Sequence, residues 1–300
     1  MKSQLTLLIL LSLFCAKKEI NPEQEILETI LNSKKEIEAY KVENQVLCES
    51  SKCLFVAFWD FDGTILKGDC SEGLEENGKQ VYEGLIELGV TKGYAKDYKG
   101  EEGLSGLRKE FARLEKTDIG QAYLFAPKIF AGNDVKTLQS FASGHFKEVL
   151  QKYYFPSSVQ ILNKLKEAGV KSYIISASAD FFVKGSVGTI PVDLDSMNGI
   201  EMKIENGKTT STEIPPITFA EGKRKKIELI VGKILQEKKA DYVFILAGFG
   251  NSFRTDGPFL EYIAEQKLQA GKPISVMING GNPPDEYKGK FKEVSFDLKK

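Results

Sequence analysis

At 300 residues the chain can bury a substantial core, and its 42% apolar and 28% charged residues are the balance of a globular protein. A formal net charge of −1 and a single histidine exclude a large basic nucleic-acid surface and a His-rich zinc centre. Any histidine-based triad would rest on His145 alone. Its neighbours Leu138, Phe141, Ala142, Phe146 and Val149 mark it instead as a partly buried helix residue. Catalysis is therefore expected on carboxylates.

In chain order, residues 1–19 read as an export signal. Lys2 gives a positive start, and Leu5 to Phe14 is an apolar run too short to span a membrane comfortably. Cys15, followed by Ala16 and two lysines, resembles a bacterial lipoprotein lipidation site, although bulky Phe14 stands where a small residue is usual. The expected location is the bacterial cell envelope, lipid-anchored through Cys15, with a secreted or periplasmic protein as the alternative. Residues 20–50 carry Ile26, Leu27, Ile30, Leu31 and Ile37 at helical spacing and read as a helical linker holding the domain off the membrane. Cys48 and Cys53 are close enough for a short-loop disulfide or stand as free thiols, with Cys70 left over.

Leu54 to Trp59 is a continuous apolar run of strand length, as in a strand covered on both faces. Residues 67–154 read as helical throughout, with stripes at Val81, Tyr82, Leu85 and Leu88, at Leu104, Leu107, Phe111 and Leu114, and from Val135 to Leu150. Strand–helix alternation follows: a helix in "SSVQILNKLKEAG", a strand in "VKSYIIS", a hairpin turning on Asn206-Gly207, a helix in "KKIELIVGKILQEK", and strands in "DYVFILAG" and "PISVMING". The expected fold is α/β, a doubly wound parallel sheet with an inserted α-helical cap domain. The core would comprise 51–66 and 155–300, and the cap 67–154. The ligand site then lies beyond the strand ends at Asp60, Ser176 and the segment from Gly248.

Asp60 and Asp62 alternate along an extended backbone, so both side chains point to one side. Gly63 permits a tight turn and close approach of an anion, and Thr64 can cap that turn. One acid can attack phosphorus while its neighbour handles a proton. A glycosidase is disfavoured, because two acids on one strand sit too close for the inverting geometry.

"DFDGT" at 60–64 resembles the first motif of the haloacid dehalogenase-like superfamily of phosphohydrolases. "YIISAS" ending at Ser176 resembles the second, "EGKRKKIELI" with Lys223 the third, and "FILAGFGNSFRTDGPFL" the fourth, all in order between Leu54 and Asn279. The resemblance implies Asp60 as nucleophile and metal ligand, and Asp62 as acid/base that also ligates metal through its backbone carbonyl. It implies a phosphate cradle of Gly63, Thr64, Ser176 and Lys223. Magnesium (Mg2+) is the implied cofactor, with Asn251 and Asp256 completing its ligands. Asn251 stands where an aspartate is usual, which removes one charge and weakens the expected metal binding. Retention of Asp62 favours phosphate ester cleavage over dehalogenation. The expected substrate is a small phosphate monoester; a catalytically idle surface lipoprotein that binds a partner is the alternative. Asp69 and Glu72 read as solvated loop acids or as contacts to the non-phosphate part of the substrate.

Overall fold

The computed structural model describes residues 21–299; the signal and Cys15 lie outside the described residues. No helix among the described residues is long and apolar enough to cross a membrane. The chain begins with helix α1 (Pro22–Glu38), a hairpin (β1, Lys41–Val42; β2, Gln45–Val46) and a turn of helix (α2, Leu47–Ser50). Strand β3 (Cys53–Trp59) follows, and a disulfide joins Cys48 to Cys53 at its start.

A second hairpin (β4, Gly73–Glu76; β5, Lys79–Glu83) opens the insert, whose helices are α3 (Leu85–Thr91), α4 (Gly100–Thr117), α5 (Ile119–Lys128) and α6 (Val135–Glu148). The chain then returns through α7 (Pro156–Glu167), β6 (Val170–Ala179), a turn of helix (α8, Asp180–Val183) and β7 (Met197–Ile200). A third hairpin (β8, Met202–Glu205; β9, Lys208–Glu213) precedes α9 (Glu221–Gln236), β10 (Tyr242–Gly250), α10 (Phe253–Ala264), β11 (Ile274–Ile278) and β12 (Lys292–Val294).

Six strands form one parallel sheet in the order β12-β11-β10-β3-β6-β7. The fold is thus the expected doubly wound α/β sheet. Alternate residues of β3 feed two cores: Phe55, Ala57 and Trp59 pack on one face, Val56 and Phe58 on the other. Burial on both faces explains the unbroken apolar run. Trp59 stacks on Phe249 of β10 with ring centroids 3.6 Å apart, locking the two central strands side by side. The chain winds outward from β3 to β6 and β7, then crosses back to β10 on the other side of β3. The crevice between the carboxyl ends of β3 and β10 is therefore the switch point of the topology.

Two expectations need correction. Residues 73–83 form a hairpin rather than a helix, because Asn77 (φ 52°) and Gly78 (φ 72°) adopt the left-handed pair of a tight hairpin turn. The helix at Pro22–Glu38 is not a free spacer. Its Ile26, Ile30 and Ile37 are fully buried in the main core, and Ser33 Oγ donates to the Lys272 carbonyl at 2.7 Å. The hairpin at the Asn206-Gly207 turn forms as expected, and its Thr209 amide donates to Asn133 O at 2.9 Å, fastening it to the insert.

Truncating Ile30 to alanine should cost about 2–5 kcal/mol of unfolding free energy, as for other buried isoleucines. Chemical denaturation measures it. An unchanged midpoint would mean that the helix does not belong to the core.

Candidate active site

Asp60 follows directly on β3, and its amide donates to Phe249 O at 2.8 Å, so the end of β10 fixes its backbone. Its carboxylate is nearly buried and both oxygens are held. Lys223 Nζ donates to Oδ1 at 2.6 Å and Thr64 Oγ1 donates to Oδ2 at 2.9 Å. Lys223, on the first turn of α9, also donates to Asp256 Oδ1 at 2.6 Å, and all three side chains are at most 6% exposed. Burial and the Asp256 charge push the Asp60 carboxyl up to about 7, against the opposing pull of Lys223 and Thr64. For Lys223, burial favours the neutral amine, but Asp256 and Asp60 outweigh it and the pKa is raised. The ammonium is charged.

Asp62 lies across the turn at Gly63. Cys70 N donates to its Oδ1 at 2.7 Å, while Ser178 Oγ (2.7 Å) and Ser176 Oγ (3.3 Å) donate to Oδ2. Burial, then the charges of Asp69 and Asp60, raise its pKa above the ordinary carboxylate range. Gly63 has φ +74°, and a Cβ there would come within 1.8 Å of the Asn251 amide. Only glycine lets the turn after β3 and the loop after β10 approach so closely.

A cavity of about 360 Å³ opens between these loops and the insert, lined among others by Asp60, Asp62, Gly63, Lys223, Asn251 and Ser252. A model of the haloacid dehalogenase-like hydrolase family matches residues 57–271. The chain belongs to that family.

No curated protein matches the chain. Among solved structures, this haloacid dehalogenase-like hydrolase resembles a protein of unknown function from Bordetella pertussis Tohama I (TM-score 0.56, 15% identity, covering 82% of this chain and 99% of that one). A functionally unknown protein from Anaerococcus prevotii DSM 20548 superposes with a TM-score of 0.54 at 15% identity, covering 91% and 95%. Cytosolic 5′-nucleotidase IIIB bound to cytidine gives 0.51 at 12% identity, covering 92% and 85%. At these identities the likeness is one of fold.

Within this hydrolase the motif residues divide. Asp60, Asp62, Gly63, Lys223 and Asn251 line the cavity. Thr64 does not; it is fully buried behind Asp60 as a donor to it. Asp256 is not available as a metal ligand, since Oδ1 takes Lys223 and Oδ2 accepts the amides of Asn251 (2.9 Å) and Ser252 (3.0 Å). Gly250 makes room for this, as a Cβ there would meet the Asp256 side chain at 2.6 Å. Ser176 is fully buried beneath the cavity and accepts the Ser178 amide at 3.0 Å. Strand β6 runs past Ser176 to Ala179, so the hydroxyl that lines the cavity is that of Ser178. Sequence reasoning passed over Ser178 and Tyr123, although the spacing of Ser176 and Ser178 on one strand face is visible in "ISASA".

Asp69 lines the cavity, accepting the amides of Ser71 (2.6 Å) and Glu72 (2.9 Å), and burial raises its pKa. Glu72 beside it is exposed to solvent. Arg108 and Arg113 pair with Glu87 and Glu110 on the surface and do not line the cavity. His145 donates to or accepts from nothing at the site; its Nε2 lies 2.9 Å from Glu83 O.

The donor set suits a hard divalent cation. Two carboxylates, Asp60 and Asp256, share the one ammonium, and the oxygen donors lining the cavity include Asp60, Asp62, Asp69 and the Asn251 amide.

An acid whose pKa rises on folding stabilises the fold fully below its unfolded value and loses that contribution as pH climbs through the folded one. In metal-free protein, the melting temperature of Asp60→Asn relative to wild type should therefore rise from about pH 4 to about pH 7 and then level off. Calorimetry across that range measures it. A margin independent of pH would contradict the raised pKa.

Proposed function

We propose that the protein is a magnesium-dependent phosphomonoesterase that works through an aspartyl-phosphate on Asp60. The observation that carries this reading is the buried Lys223 ammonium joining Asp60 to Asp256, with the Asp62 carboxyl in the same cavity. Asp60 presents a carboxylate held at both oxygens, as in-line attack on phosphorus requires. Asp62 gives its proton to the departing alcohol oxygen, so that the ester P–O bond breaks as the Asp60 O–P bond forms. It then takes a proton from water, whose oxygen attacks phosphorus; the acyl phosphate opens, inorganic phosphate leaves and Asp60 is regenerated. Lys223 favours the ionised form of Asp60 against burial and offsets charge on the transferred group. Asp60, the Asp62 backbone carbonyl and Asn251 would hold Mg2+, with Asp256 confined to anchoring Lys223 and the Asn251 loop. The ion supplies neutralising charge to the phosphoryl oxygens when bound.

The substrate is a small monoester, in keeping with a cavity of about 360 Å³. We further propose export and lipid anchoring at Cys15 in a bacterial envelope. The Lys2 and Leu5–Phe14 pattern supports this, and so does the Cys48–Cys53 disulfide, which fits an oxidising compartment.

Assaying the signal-free protein on a panel of small phosphate esters tests the enzyme reading. Turnover should require added magnesium, stop with EDTA and fall below detection in Asp60→Asn. No turnover of any ester at millimolar magnesium would favour a non-catalytic binding scaffold.

A further inference from the structure

The Asp62 carboxyl is fixed more tightly than a proton donor on a loop would be by itself. Its Oδ1 accepts from the backbone of Cys70, and Ser178 donates to Oδ2 from the end of β6, both at 2.7 Å. Ser178 is itself oriented. Ser71 Oγ donates to Ser178 Oγ at 3.0 Å, which occupies an acceptor lone pair of Ser178 and leaves its own proton for Asp62. Both serines are buried, at 6% and 7% exposure, so water does not compete freely for either hydroxyl. Ser176 is a weaker partner, 3.3 Å from the same oxygen and engaged by the Ser178 amide.

The outer end of this chain is anchored in the insert. The Leu85 and Ile86 amides, at the start of α3, donate to the carbonyls of Cys70 (2.9 Å) and Ser71 (3.0 Å). The residues that hold the two oxygens of Asp62 thus come from different layers of the molecule, the insert on one side and the central sheet on the other.

We propose that Ser178, oriented by Ser71, is a positioning residue that holds the Asp62 carboxyl in line with the leaving oxygen. This rests on the phosphomonoesterase reading above. Because Ser178 acts through Asp62, its importance depends on how much the departing group needs a proton. An alkoxide needs one to leave, whereas nitrophenolate departs without it. Loss of the Ser178 hydroxyl should therefore penalise alkyl esters selectively, an outcome that mere loosening of the fold would not produce.

The experiment compares kcat/KM for glycerol phosphate and p-nitrophenyl phosphate, since that ratio reports the steps up to loss of the alcohol. Ser178→Ala should lower the alkyl-to-aryl ratio of kcat/KM roughly tenfold, whatever it does to the aryl rate itself, the loss expected from one hydrogen bond to an acidic group. Ser178→Thr, which keeps the hydroxyl, should restore the alkyl rate. Ser71→Ala should move the alkyl-to-aryl ratio in the same direction by less, giving a reading independent of whether Ser178→Ala folds well. Equal losses on both esters, or none on either, would overturn the positioning role while leaving the phosphatase reading intact. A wild-type protein inert toward both esters would overturn that reading and this one together.

Discussion

The Lys223 ammonium is the interaction on which the crevice depends. It sits between Asp60 and Asp256, 2.6 Å from each, in a space that admits almost no water. Three charges so buried lose a large hydration energy, and the two contacts offset it only while all three partners remain in place. Removing the ammonium would leave two carboxylates facing each other in a low dielectric, at a cost of about 3–5 kcal/mol in comparable buried pairs. The arrangement also ties sequence-distant elements together, since Asp60 ends β3, Lys223 opens α9 and Asp256 lies in α10. With one positive charge for two negative ones, it leaves the crevice short of a cation on the side where Asn251 and Asp62 meet.

The sheet topology decides where this cluster can form. Only at the switch point do two adjacent strands send their following segments to opposite faces, opening a crevice deep enough for a buried lysine. The strand ends are then stitched to one another through polar contacts. Asp60 N donates to Phe249 O, Thr218 Oγ1 donates to Ser176 O at 2.6 Å, and Ser158 Oγ donates to Thr64 O at 2.7 Å. Each bond satisfies a buried polar group and holds one loop relative to another. Asp62 is held from the insert by the Cys70 amide, and Ser71 reaches it at one remove through Ser178.

Much of this was legible in the residues. The apolar run into Asp60 betrayed a doubly covered strand, and the four motifs met at one crevice as their resemblance implied. The misreadings have specific causes. Asn77-Gly78 carries the same turn signal as Asn206-Gly207, but helical spacing at Leu85 and Leu88 just beyond it masked the strands. Strand β6 was read as ending at Ser176; it runs on to Ala179, and because strand side chains alternate, Ser178 shares the face of Ser176 and becomes the cavity hydroxyl. Asp256 looked like a ligand by spacing alone. Which way its oxygens face depends on the first turn of α10 and on the position of Lys223, and no local pattern encodes that long-range geometry.

The account stands on covalent use of Asp60, and trapping the phosphoenzyme tests it most directly. Acid-quenching the protein during turnover of a radiolabelled ester should leave label that is labile to hydroxylamine and that maps to the peptide containing Asp60. Turnover that leaves no such label at quench times shorter than a single cycle, or label on another residue, would contradict it.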